Sequence, residues 1–147
     1  GLTLTVVPLV MLTPWTFEAQ KTVAAAGERW QPWDEAQIQP LQNDGKVVFV
    51  DFTADWCITC KVNERAALSS DAIWKYFADS NVVAMKADWT KRDDRIRAAL
   101  ASFGRGGVPM YLVYPAGGGE PEVLPEVLTE SLVRDAIARN LPDGAAE

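Results

Sequence analysis

The sequence predicts an α/β domain with a central mixed β-sheet flanked by helices. Three observations carry that prediction. Residues 46–54, KVVFVDFTA, are apolar on both faces apart from Asp51, as a strand covered on both sides must be. Strand-like and helix-like stretches then alternate, which implies parallel crossover connections. Near the C-terminus, two strand-like runs flank a turn at Gly117–Gly119 and add an antiparallel edge.

Each element has its own local reason. Residues 33–43, WDEAQIQPLQN, predict a short helix, with Pro40 counting against it because proline removes a backbone donor. Asp44-Gly45 marks a turn before the 46–54 strand. A helix is expected from Cys57 to Leu68. Ser69, Ser70 and Asp71 offer caps for a second helical stretch over 72–79. VVAMKADW, 82–89, is the next strand. Thr90 is the expected cap of a helix over 91–103, with Asp93 in a capping-box-like position, and Gly104, Gly106 and Gly107 end it. MYLVYP, 110–115, is a strand. EVLPEVL, 122–128, is a weaker one that Pro125 confines to a sheet edge. Thr129 caps a last helix, ESLVRDAIARNL.

With 147 residues, 48% of them apolar, the chain can bury one ordinary core without metal or disulfide staples. The domain itself is expected over residues 30–141. Residues 2–13 are apolar and uncharged but fall short of the roughly 20 needed to span a bilayer. Pro8 and the lack of a basic stretch before the run argue against a signal peptide. Three readings stand for this segment: the end of a truncated transmembrane helix with Trp15 and Phe17 as interfacial aromatics, a strand or tail packed on the domain, or a loosely ordered end. Residues 18–29 read as a linker or weak helix and 142–147 as a frayed tail.

Composition removes whole classes of chemistry. There are two cysteines, Cys57 and Cys60, and no histidine. That excludes a Ser-His-Asp triad, a Cys-His pair and imidazole metal ligands. Two thiols cannot build a four-thiolate zinc or iron–sulfur site. Lys61 stands where c-type haem attachment requires histidine. A net charge of −6 argues against nucleic acid as a partner.

What remains is the Trp56-Cys57-Ile58-Thr59-Cys60 segment. Its thiols are three residues apart, after a central strand and at a helix start. In a first helical turn such positions share a face and come within disulfide reach. Cys57 sits where unpaired N–H groups and the helix dipole favour a thiolate, so it is the expected exposed nucleophile. Cys60, one turn further in, is the expected shielded resolving thiol. A structural disulfide, or two unrelated buried thiols, is the alternative.

Asp51 is a carboxylate in an apolar strand, where burial should raise its pKa and suit it to take a proton from the resolving cysteine. The alternative is an aspartate that faces a loop and caps a backbone group. Glu64, nearly two helical turns past Cys57, lies on the thiol face and should raise the thiol pKa. It could equally be a solvated residue paired with Lys61. Asp55 is nearer in sequence but is expected to be exposed. Val108-Pro109 stands at a strand entrance where a proline can be cis, leaving a backbone edge for an incoming peptide. An ordinary trans proline is the alternative. Of the six tryptophans, Trp56 is the one expected at the rim of the site.

FVDFTADWCITCKVNE (49–64), ADWTKRD (87–93) and GVPMYLVYP (107–115) together resemble a thioredoxin-like fold. More narrowly, they resemble the C-terminal periplasmic domain of the DsbD family of transmembrane thiol–disulfide reductases, which includes the related ScsB proteins. ADWCxxCKxxE is the specific part. The resemblance implies a protein-disulfide reductase that takes electrons from a membrane-embedded dithiol. It passes them to an N-terminal periplasmic domain of the same parent protein or to periplasmic thiol oxidoreductases. Cys57 matches the nucleophile and Cys60 the resolving thiol. Asp51 and Glu64 match two acidic residues that hold the nucleophile's pKa high, and Pro109 matches a cis-proline facing the dithiol. Trp56, Val108 and Pro109 are thus the expected substrate-binding residues, in a periplasmic domain of an inner-membrane protein. No metal and no cofactor beyond the redox-active disulfide are expected. Ile58 and Thr59 bring no charge to stabilise a thiolate, which suits a reductant. The rival readings are a membrane-tethered thioredoxin for cytochrome c maturation and a Cu(I)-binding module built on the two thiolates.

Overall fold

The computed structural model describes residues 29–143. The expectations for the apolar segment at 2–13, for the rest of 1–28, and for the last four residues lie outside the described residues. Along the chain run β1 (Gln31–Pro32), α1 (Glu35–Asn43), β2 (Val47–Thr53), α2 (Ile58–Ala67) and α3 (Asp71–Asp79). They are followed by β3 (Val82–Asp88), α4 (Asp94–Ser102), β4 (Met110–Tyr114), β5 (Glu122–Val123) and α5 (Glu130–Asn140). The strands form one mixed sheet in the order β1-β3-β2-β4-β5.

Every residue of β2 is buried, so β2 takes the centre. It pairs in parallel with β3, Asp51 opposite Lys86, and antiparallel with β4, Asp51 opposite Tyr111. Alternation along the strand splits the core. Val47 and Phe49 face a cluster with Ala67 and Leu68 at the end of α2, Ile73 and Phe77 of α3, and Val133 and Ile137 of α5. Val48, Val50 and Phe52 face Ile38 of α1 and Ile96 and Leu100 of α4. Asp51 and Thr53 therefore share the face of Phe49, beneath α2.

The expected helix over 33–43 forms in spite of Pro40, and three features differ from the sequence reading. Helix α1 runs through Pro40, because burial of Ile38 and Gln42 outweighs the lost donor. The Gln42 side chain donates to the carbonyls of Pro115 and Gly119 at 3.0 and 3.1 Å, fastening the helix to the glycine turn. In that turn Gly117, Gly118 and Gly119 all have positive φ, which only glycine adopts at little cost. Helix α4 starts at Asp94 and is capped by Asp93, whose carboxylate accepts from the Arg95 and Ile96 amides; Thr90 is spent elsewhere. Strand β5 is only two residues long, since Pro125 follows closely. Strand β1, also two residues, has no periodic pattern to betray it and forms by pairing Gln31 and Pro32 with Met85 and Lys86. Caps at Ser70 and Thr129 are where the sequence puts them.

Phe49 is fully buried and its ring meets Trp30, Phe77 and Tyr111. Phe49→Ala should lower the unfolding free energy in urea by about 3–5 kcal/mol. Val123→Ala, at an exposed edge position, should change it by less than about 0.5 kcal/mol.

Candidate active site

The chain leaves the buried end of β2, turns through Ala54–Cys57 with the Cys57 amide donating to the Ala54 carbonyl at 3.1 Å, and enters α2. Cys57 is the N-cap of that helix, and its sulfur accepts from the Cys60 amide at 3.2 Å. Cys57 and Cys60 form a disulfide with their Cα atoms 5.3 Å apart. The helix terminus thus points unpaired N–H groups at Cys57, a setting that favours negative charge on its sulfur. Cys57 is 7% exposed and Cys60 0%. The order of accessibility is as expected. Cys57 is nonetheless more covered than the spacing suggests, because Ala54 and Val108 pack around the sulfurs.

Asp51 lies in β2, six residues before Cys57 and two before the strand's end. Its residue is fully buried and, among the described residues, neither carboxylate oxygen has a hydrogen-bond partner, so it caps none of their backbone groups. Desolvation dominates and pushes its pKa up to about 7; Glu64 adds to the rise, while Lys86 and Lys61 oppose it. Glu64 is half-buried. It accepts from the Thr53 hydroxyl at 3.4 Å and lies 3.6 Å from Lys61 Nζ and 3.8 Å from Lys86 Nζ. Glu64 pairs with Lys61, as the solvated reading has it, and stands one helical turn past Cys60. Asp55 is exposed, 3.7 Å from Lys61.

Lys86 escaped the sequence reading. It stands opposite Asp51 in the sheet, and its ammonium also lies 4.8 Å from the Trp30 ring centroid. A lysine inside an otherwise apolar strand was the signal, unreadable without the register. Tyr111 and Asn63 escaped too. The Asn63 amide donates to the Tyr111 hydroxyl at 2.9 Å and to the Glu126 carbonyl at 2.6 Å, and its oxygen accepts from the Leu128 amide at 3.0 Å. Burial, then the Asp51 charge, raises the Tyr111 pKa, so its phenol is a neutral neighbour of Asp51.

Trp56 is 47% exposed beside Cys57. Its indole N–H donates to the Thr90 carbonyl at 3.2 Å, and the Thr90 hydroxyl accepts from the Asp55 amide at 2.9 Å. This is where Thr90 is used in place of a helix cap. The Val108–Pro109 peptide bond is cis, Pro109 is buried, and Val108 packs against the disulfide. Trp56 thus adjoins Cys57 in the chain, Val108 packs against the disulfide with Pro109 next to it, and Glu64 stands one helical turn past Cys60.

A sequence family described as Thioredoxin-like matches residues 29–116. The chain belongs to this family. It is 34% identical over 86 residues to the thiol:disulfide interchange protein DsbD of Yersinia enterocolitica, covering 58% of this chain and 14% of that one. It is 29% identical over 122 residues to the Actinobacillus pleuropneumoniae protein of the same name, covering 83% and 19%. The chain therefore spans about one-seventh to one-fifth of the length of these relatives. Among solved structures, the oxidised C-terminal domain of Neisseria meningitidis DsbD superposes with a TM-score of 0.57 at 22% identity, over 75% of this chain and 98% of that one.

The raised pKa of Asp51 makes stability depend on pH. Its folded value, about 7, lies above the unfolded value, so the folded state keeps a proton the unfolded chain releases. This contribution is fully present below about pH 4 and is lost as pH rises through about 7, a change of about 4 kcal/mol. Urea unfolding of the oxidised protein should show that decline, and Asp51→Asn should flatten it. Identical profiles for the two proteins would refute the assignment.

Proposed function

We propose that this thioredoxin-like chain is a DsbD-type thiol–disulfide oxidoreductase domain working as a protein-disulfide reductase. On this reading it relays electrons from a membrane-embedded dithiol to periplasmic partner proteins. The observation that carries the proposal is the Cys57–Cys60 disulfide at the start of α2 above a buried carboxyl that has no hydrogen-bond partner among the described residues. The resemblance to DsbD supports the direction of flow and the partners: the transmembrane and N-terminal periplasmic domains of a common parent, and periplasmic thiol oxidoreductases. It also supports a place as the periplasmic domain of an inner-membrane protein. No helix among the described residues is long and apolar enough to cross a membrane.

In the reduced state the Cys57 thiolate attacks one sulfur of a partner disulfide. A mixed disulfide forms and the partner's other sulfur leaves as a thiolate, which takes up a proton. Asp51 then accepts the Cys60 proton. The Cys60 thiolate attacks Cys57 Sγ, closes the internal disulfide and expels the partner's second thiol. Two electrons have moved from the dithiol to the partner. A carboxyl with a pKa of about 7 is present in both protonation states near neutral pH and can take up and return that proton. With no imidazole in the chain, this work falls to carboxylates.

The helix terminus favours the Cys57 thiolate while Asp51 and Glu64 disfavour it, and on this reading the carboxylates prevail. The nucleophile then stays protonated and quiet until a partner docks.

Titration of Cys57 reactivity against pH should give an apparent pKa lower by about one unit in Asp51→Asn, and lower also in Glu64→Gln. An unchanged value would remove their tuning role. The Cys57–Cys60 couple should be more reducing than about −120 mV, the potential of a strong oxidant. A potential near that value would reverse the proposed direction. Cys60→Ser should trap mixed disulfides with Dsb- or Scs-type partners; recovery of apocytochrome would point to cytochrome c maturation instead.

A further inference from the structure

The reductase reading leaves Arg92 without a role, yet the structure holds it firmly. Arg92 is exposed at the end of the turn that follows β3, where its amide donates to the Trp89 carbonyl at 2.9 Å. Its φ is +56°, a left-handed conformation that non-glycine residues rarely adopt. Its guanidinium lies 4.8 Å from the Trp56 ring centroid and 4.9 Å from that of Trp89, and the two rings are 5.9 Å apart. Two aromatic faces thus fix a cation next to the residue that precedes Cys57.

The charges around it are spoken for. Asp55 pairs with Lys61, Asp94 with Arg97, and Arg105 with Glu126. Asp88 accepts from the Thr90 amide, and Asp93 caps α4. Among the described residues Arg92 forms no salt bridge with any carboxylate. Its neighbours on the other side of Cys57 are apolar: Ile58 is 81% exposed and Val62, one helical turn on, 56%. Among the described residues Lys91 and Arg95 also form no salt bridge, but Arg92 is the one held against Trp56, the residue before Cys57.

We propose that Arg92 is a specificity-determining residue. It selects disulfide partners that carry a carboxylate beside the attacked cysteine, with the partner's apolar side chains seated on Trp56, Ile58 and Val62. A planar guanidinium held against two rings keeps its remaining donors free for a carboxylate and loses little freedom on pairing. The inference rests on the reductase reading and extends it to the class of substrate.

The test uses the reduced protein, freed of the dithiol that reduced it, and two pentapeptides: Ala-Asp-Cys-Asp-Ala and Ala-Lys-Cys-Lys-Ala. Both are blocked at their ends and carry the cysteine as a mixed disulfide with 2-thiopyridine. Cys57 attacks the peptide sulfur and expels 2-thiopyridone; Cys60 then closes the internal disulfide and releases the peptide thiol. The readout is the acidic-to-basic rate ratio, divided by the same ratio with dithiothreitol to remove intrinsic reactivity. A uniform loss of activity cancels in this ratio. It should be about five at low ionic strength and fall toward one near 0.5 M salt, as expected for an exposed ion pair set against its like-charge counterpart (order-of-magnitude values). Arg92→Gln should bring it to about one, Arg92→Glu should invert it, and Arg92→Lys should restore part of it. A ratio of one in the native protein, or one that survives Arg92→Gln, overturns the proposal. So does a ratio lost only in Lys91→Gln. Release of no 2-thiopyridone from either peptide instead overturns the reductase reading beneath it.

Discussion

Burial of β2 on both faces is the constraint from which the site follows. A strand with seven buried residues must be central, must receive helices above and below, and must end where both layers end. That end is where the chain emerges and where α2 begins. A cysteine at the N-cap of α2 is therefore at once at a helix terminus and at the mouth of the core. The same burial makes Asp51 unusual. A carboxyl placed there has no hydrogen-bonding partner among the described residues, and desolvation is the main cause that holds its proton to near neutrality, with Glu64 adding to it.

Around this carboxyl the charges are arranged as a chain. Lys86 lies beside Asp51 in the sheet, Glu64 lies 3.8 Å from Lys86, and Lys61 connects Glu64 outward to Asp55. Lys86 and Lys61 oppose the rise that burial causes but do not cancel it. The arrangement runs from a dry interior to a solvated rim along one face of α2. Lys86 also rests on Trp30, so the ring that packs on Trp74 and Phe49 fixes the cation as well.

The parts legible in the sequence are those with local causes. The apolar run of β2, the caps at Ser70 and Thr129, and the spacing of Cys57 and Cys60 each announce themselves within a few residues. Asp51 stands out as a lone charge in an apolar strand. What the sequence hides depends on register or on distant partners. Thr90 looks like a cap, but the neighbouring Asp93 supplies an oxygen that reaches two amides, and Thr90 serves Trp56 and Asp55 instead. Lys86, Tyr111 and Asn63 acquire meaning only once β3, β4 and α2 are laid against Asp51. Strand β1 is too short for any period, and α1 outlasts its proline because Gln42 is anchored 73 and 77 residues away.

The sheet order β3-β2-β4 also has a consequence for how the chain matures. Strand β4 enters beside β2 from far along the chain and brings Val108 against the sulfurs and Tyr111 beside Asp51. Until that strand docks, the sulfurs lack the wall that Val108 provides and the carboxyl lacks Tyr111 beside it, so Asp51 titrates much as it would in a peptide. The altered acidity is then a property of the finished sheet and not of the CxxC segment. A measurement of Asp51's proton affinity would double as a report on whether the β2–β4 pairing has closed.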